Sequence, residues 1–361
     1  KILDGVLKAP YGDESCPFAS CFTSVYMYLE NFTGTEPGAC FLGKYADDGP
    51  LVPCNGCGKC GRTADFDFKE ASHNSIQWFF MLIAGGSQSK VDPSSLFDYA
   101  GYRYRQMSQE DGYDAVKNAV VQSIDAGLPV LMTFQGNEGL CNLVVGYDLG
   151  GGTILGYDGN FSYWKLYVKD AFIPKDGYLD NQIFYYSHWF DVLDKVYIIT
   201  GKGAQKTGLK EALQRLANNI HADNTLYMDA AHRLLVNSLE AMDESEIHNL
   251  FETGADLFRE QMDTRHKLTL AMQSFVRFMV PQTCQDDAIL AYQELAAAGA
   301  PGYEYMNLFE TNMWDVFGRT FQDYIPFMNN PFIRIKLAQK LMNAYKSNRN
   351  AAHAIENLVM K

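Results

Sequence analysis

The sequence predicts an α+β domain followed by an all-α domain. Three observations carry this. Residues 1–200 mix helix and strand signals with many glycines and turn residues. The strands of that half follow one another without intervening helices, which argues for an antiparallel sheet rather than an alternating parallel one. Residues 205–361 carry helical periodicity almost throughout. At 361 residues the chain is long enough for two domains. The small polar stretch Thr200-Gly201-Lys202-Gly203 follows an apolar strand and sets the boundary. The expected domains are 1–203, with a Cys-rich loop at 38–66, and 204–361.

The first helix is predicted at about 20–32, where Phe22, Val25, Leu29 and Phe32 recur at helical spacing. Ser15 or Ser20 could cap it, and Gly34 stops it. A second helix at about 72–84 contains Trp78 and Phe79. A third at about 113–126 lines up Val116, Val120 and Ile124, and Gly127 with Pro129 ends it. Runs of β-branched and aromatic residues then predict strands at Pro129–Phe134, Leu140–Tyr147, Thr153–Tyr157, Trp164–Val168 and Val196–Thr200. Gly136 to Gly139 and Gly150–Gly152 read as turns between them. The second half predicts helices near 205–220, 226–241, 244–262, 265–279, 286–298, 303–322 and 331–358. Leu209, Leu213, Leu216 and Ile220 form one stripe, and Asp243 followed by Glu246 reads as a capping box. Glycines and prolines at 299–302 and 326–331 are expected to separate the last three helices.

Composition narrows the function classes. Hydrophobic residues make up 47% of the chain, enough for a packed core. The net charge of −13 argues against nucleic acid and against anionic membrane surfaces, both of which want a basic face. No apolar run reaches about 18 residues, the length of a membrane span, and the opening KILDGVLKAPYGDE is too short in apolar residues for a signal peptide. Eight cysteines in a chain this long do not make a small disulfide scaffold. A reducing, cytoplasmic setting is the expectation.

Two cysteines stand near the start of the first predicted helix. The unpaired N–H groups and the dipole of a helix N-terminus lower a thiol's pKa and make it a nucleophile. Cys21 falls in the predicted first turn. Cys16 precedes Pro17, itself a candidate first helical position. Spacing alone does not separate the two, and both also suit small buried hydrophobes.

Ser20–Gly34, SCFTSVYMYLENFTG, resembles the nucleophile helix of the butirosin-biosynthesis acyltransferase type of papain-like proteins. There a Cys opens a helix that runs about 13 residues to a Gly, as Cys21 and Gly34 do. Gly38–Gly43 is similar to the family's next short segment. Gly127-Leu128-Pro129-Val130 and Val144-Val145-Gly146-Tyr147-Asp148 look like its sheet, and also like that of the double-glycine leader peptidases. The resemblance covers roughly residues 4–200 and implies a papain-like fold, in which the Cys helix packs on the antiparallel sheet. The helical remainder is similar to the helical region that often accompanies this type.

The resemblance implies a Cys–His–Asp relay acting through a thioester on Cys21. The Cys attacks an acyl carbonyl, the His moves the proton, and the acid orients the His. Asp158 stands where the acid belongs. The place of the His is taken by Leu140 or Cys141, followed by Asn142, and no His lies between His73 and His188. Three readings follow. The chain keeps the pocket for binding without catalysis, His73 or His188 reaches the site from another element, or Cys141 acts with Cys21 as a thiol pair or as shared metal ligands. The catalytic set expected on this resemblance is Cys21, Asp158 and Asn142, and the partners are a small-molecule, acyl-carrier or peptide substrate. The amphipathic helices of the second half would cover the first domain or form a homodimer.

PCNGCGKCGR places Cys54, Cys57 and Cys60 at C-x-x-C-x-x-C spacing, with glycines that permit tight turns around one ion. A closed zinc site needs four ligands, and Cys40 is the fourth candidate. An iron–sulfur cluster is disfavoured because no Cys-Pro follows Cys60. A disulfide or redox pair, and free thiols, stay open. The Gly150–Gly152 run lacks a following phosphate-binding helix and reads as a hairpin turn. The histidines at 221, 232, 248, 266 and 353 show no H-E-x-x-H spacing and are expected at the surface.

Overall fold

A computed structural model of the chain describes residues 1–7, 17–31, 73–85, 92–135, 141–158, 176–179, 183–236, 242–247, 249, 268–269, 271–272, 275, 285–309 and 329–360. They divide into two units, one covering Lys1–Ala212 and one holding the described residues from Leu213 onward. The architecture is α+β. None of the described helices is long and apolar enough to cross a membrane.

In the first unit the helices are α1 (Pro17–Leu29), α2 (His73–Ile83), α3 (Pro93–Ala100) and α4 (Tyr113–Asp125). The strands are β1 (Tyr102–Met107), β2 (Val130–Phe134), β3 (Cys141–Asp148), β4 (Thr153–Asp158), β5 (Gly177–Leu179), β6 (Ile183–Tyr186) and β7 (Leu193–Lys202). They form one sheet in the order β1-β7-β2-β3-β4-β6-β5, with every pairing antiparallel. Helices cover both faces. α4 packs on β2, β3 and β7, while α1 lies on β3 and α3 on β1, with α1, α2 and α3 packed together.

Double coverage explains the strand composition. A half-exposed strand alternates apolar and polar residues, but one buried on both faces reads as a continuous apolar run. Cys141–Gly146 and Val196–Ile199 are buried at every position. On the α4 face, Val116, Val120 and Ile124 meet Val130, Met132, Val144, Ile154, Phe184, Trp189, Val196 and Ile198 in one apolar cluster. The opposite face is aromatic. Phe22 meets Phe80 and Phe97 edge-on with ring centroids 5.1 and 5.2 Å apart, and Phe18 meets Tyr197 at 5.1 Å. Phe97 stacks on Tyr104 at 4.1 Å.

Two glycines are required by geometry. Gly127 has φ +81 and ends α4 in a Schellman motif: its N–H donates to the Ile124 carbonyl and the Leu128 N–H to that of Ser123. At Gly156 on β4, a Cβ would meet the Leu143 carbonyl oxygen, with the Phe184 ring 2.9 Å away.

The second unit contains α5 (Leu209–Leu235, whose first residues belong to the other unit), α6 (Gln285–Phe309) and α7 (Pro331–Met360). α5 and α7 share a cluster of Tyr227, Ala230, Ala231 and Leu234 with Leu337, Ala338, Leu341 and Ala344. α6 packs along α7 and buries Ala288, Ala291, Leu295 and Ala298. Small side chains let the two backbones approach closely.

Several elements differ from the sequence reading. The first helix begins at Pro17, not at residue 20, because proline suits the first turn, where its missing N–H costs nothing. The helices expected at 205–220 and 226–241 are one helix. Its polar middle is absorbed: Asn224 donates to the Tyr345 carbonyl of α7, and the Thr225 hydroxyl donates back to the Ala222 carbonyl. The expected break at 299–302 is absent, since α6 runs through Ala300-Pro301-Gly302. The backbone stays helical there although Pro301 has no N–H to donate to the preceding turn. α3, β1, β5 and β6 were not expected. The strand expected at Trp164–Val168 and most of 244–282 lie outside the described residues.

Candidate functional site

Cys21 is the fifth residue of α1. The unpaired amides of a helix belong to its first turn, and Cys21 lies one turn further in. This corrects the expectation of a thiol at the helix start. The side chain is 0% exposed and carries a thiol. Its Sγ donates to the backbone carbonyl of Cys141, the first residue of β3, at 3.4 Å. A thiolate there would set its charge against the negative end of a carbonyl. Next to it, the Thr23 hydroxyl bonds back to the Ala19 carbonyl at 2.7 Å. Cys16 lies outside the described residues.

Cys141 is 1% exposed and also a thiol. Opposed residues of paired strands share a face. Thr133 opposes Cys141, and Leu131 opposes both Leu143 and Tyr197. Cys141 therefore belongs to the face of Tyr197, the face that α1 covers. Burial foremost, with the Asp194 carboxylate adding to it, pushes the Tyr197 phenol well above its usual range. Cys21 and Cys141 meet thiol to carbonyl, and the Cys141 Sγ itself lies 3.7 Å from the Asn142 carbonyl.

Asn142 alternates to the other face. It opposes Met132 on β2, and Met132 belongs to the apolar cluster beneath α4. It also opposes Asp158, the last residue of β4, so two members of the expected catalytic set are register neighbours on adjacent strands. The Asp158 side chain lies outside the described residues. Cys21, on α1, thus reaches β3 from the face that Asn142 turns away from.

His188 precedes the short 3-10 helix Trp189–Val192, as its sequence context suggested. Its side chain is 76% exposed, and its Nδ1 lies 3.4 Å from Asp191 Oδ2. His73 opens α2, and its side chain lies outside the described residues, as do Cys40, Cys54, Cys57 and Cys60.

A second constellation lies in the helical unit. His221 of α5 and His353 and Glu356 of α7 place their ligand atoms within 4.8 Å of one another, a grouping the sequence reading treated as surface histidines. His221 Nε2 lies 3.1 Å from Glu356 Oε1, and His353 Nδ1 lies 2.9 Å from Oε2. The imidazoles, His353 foremost, hold the Glu356 carboxyl below the usual carboxylate range against the opposing effect of burial. The i,i+3 pair His353/Glu356 is visible in sequence as two residues on one helical face. His221 joins them only because α5 packs against α7. Compared with known proteins, the chain matches no family model, no curated protein and no solved structure.

Proposed function

We propose that the N-terminal unit is a papain-like scaffold that serves as a binding module, and that Cys21 is a structural thiol rather than a nucleophile. The burial of Cys21, with its thiol donating to the Cys141 carbonyl, carries this reading. A nucleophile needs an accessible, thiolate-favouring position beside a base. Cys21 sits beyond the first turn of α1 against an acceptor. The ligand would be a small molecule, an acyl carrier or a peptide. Two buried thiols suit a reducing, cytoplasmic setting.

The test is iodoacetamide labelling of the native full chain at neutral pH, read per residue by mass spectrometry. Cys21 should label only on unfolding. Labelling in the folded chain faster than a peptide thiol would sink the reading.

One observation favours a second reading, a thiol acyltransferase or amide hydrolase working through a thioester on Cys21. Cys21 abuts the start of β3, the strand to which the resemblance assigns the base, and Asn142 there opposes Asp158. Fast native labelling together with an acyl adduct on Cys21 after exposure to a thioester donor would support it.

A further inference from the structure

We propose that His221, His353 and Glu356 form a binding site for one divalent transition-metal ion, zinc by their chemistry, joining α5 to α7. Two imidazoles and a carboxylate are borderline ligands suited to zinc and its neighbours in the first transition row. Calcium and magnesium prefer oxygen-only sets.

The spacing fits. Zinc holds nitrogen and oxygen at about 2.0–2.2 Å, which separates tetrahedral ligand atoms by about 3.3 Å. The two nitrogen–oxygen separations here are 3.1 and 2.9 Å, and all three ligand atoms fall within 4.8 Å of one another. The rings of His221 and His353 have centroids 5.4 Å apart and cross at 65°, so they converge on the carboxylate without stacking face to face. Small rotations bring the three around one ion.

Backbone rigidity supports the geometry. His353 and Glu356 sit one turn apart on α7, so their relative placement is fixed by the helix. His221 is held by the α5–α7 contact, through the shared apolar cluster and the Asn224 bond to the Tyr345 carbonyl. The site lies at the surface, with the His353 side chain 56% exposed, so an ion has a way in. Three protein ligands leave the fourth position to water, the ligand count of an open site.

The experiment is a Co(II) and Zn(II) titration of the full chain and of His221→Gln, His353→Gln and Glu356→Gln, each first shown by circular dichroism to be folded. Co(II) separates this site from cysteine thiolates, since nitrogen and oxygen ligands give d–d bands without sulfur charge transfer. The wild type should bind one equivalent with a nitrogen/oxygen spectrum, and Zn(II) should raise its melting temperature. Each variant should lose that equivalent, weakening it by more than the roughly 10–100-fold that loss of an outer partner costs. The thermal gain should disappear with it. Unchanged stoichiometry and affinity in the His221→Gln and His353→Gln variants, or a purely thiolate spectrum in the wild type, would overturn the site.

Discussion

The thiol of Cys21 on α1 donates to the backbone carbonyl of Cys141, the first residue of β3, across 3.4 Å. The contact pins the second turn of the helix to the centre of the sheet, where β3 runs between β2 and β4. It spends the proton that a nucleophile would shed.

Cys21→Ala removes the donor and opens a small void. Losing one such bond together with the burial of the sulfur should lower stability by about 1–2 kcal/mol. Urea unfolding of the two proteins measures it. Equal midpoints would show that the contact contributes nothing.

Gly156→Ala should be more costly than its one carbon suggests. The added Cβ would collide with the Leu143 carbonyl oxygen on the paired strand and approach the buried Phe184 ring. Backbone cannot yield as a flexible side chain does, so the loss should be about 1–3 kcal/mol or more. A thermal melt within error of the parent would contradict this placement of β4 against β3.

Tyr102 is almost wholly buried and donates to Glu30 Oε1 at 2.8 Å, and Lys202 pairs with the same carboxylate at 2.7 Å. Tyr102→Phe should cost about 1 kcal/mol near neutral pH. Burial first, then the bond to Glu30, push the Tyr102 phenol far above its ordinary value. The folded state thus favours the protonated phenol. Its stabilisation is full below about pH 10, where the unfolded phenol titrates, and declines as pH rises beyond it. The alkaline limb of the stability profile should be shallower in Tyr102→Phe, and an unchanged limb would refute the assignment.

Asp176 accepts the backbone N–H and the hydroxyl of Ser187, both at 2.6 Å, just before β5 and just after β6. These bonds, the hydroxyl's foremost, hold its carboxyl below the usual range. A depressed carboxyl contributes stability above about pH 4, the unfolded value, and loses it as pH falls through the folded one. Asp176→Asn should remove that part of the acid-limb slope. NMR titration of the Asp176 carboxyl should give a midpoint below that of a model Asp, and a midpoint at the model value would count against the bonds.

Local chemistry was legible where it acts alone. The Gly127 stop of α4, the apolar runs of β2, β3, β4 and β7, and the change to helices in the second half all follow from periodicity and turn residues. α3 carried its own signal, with Asp92 capping, Pro93 in the first turn and Gly101 at φ +69 closing it. β1 did not, because the polar run Tyr102–Met107 becomes a strand only through its pairing with β7.

By itself, then, the sequence determined the α+β class, the glycine that stops α4, and the nearness of Cys21 to the first helix, since each depends on a few neighbouring residues. Tertiary structure alone decided the rest. α5 runs unbroken through its polar middle, and α6 through Pro301 and Gly302. Strand register placed Cys141 on the face of α1 and Asn142 on the face of α4. Helix packing brought His221 to His353 and Glu356 from more than a hundred residues away. Such contacts arise from burying the apolar faces of separate elements, and no local pattern encodes which faces will meet.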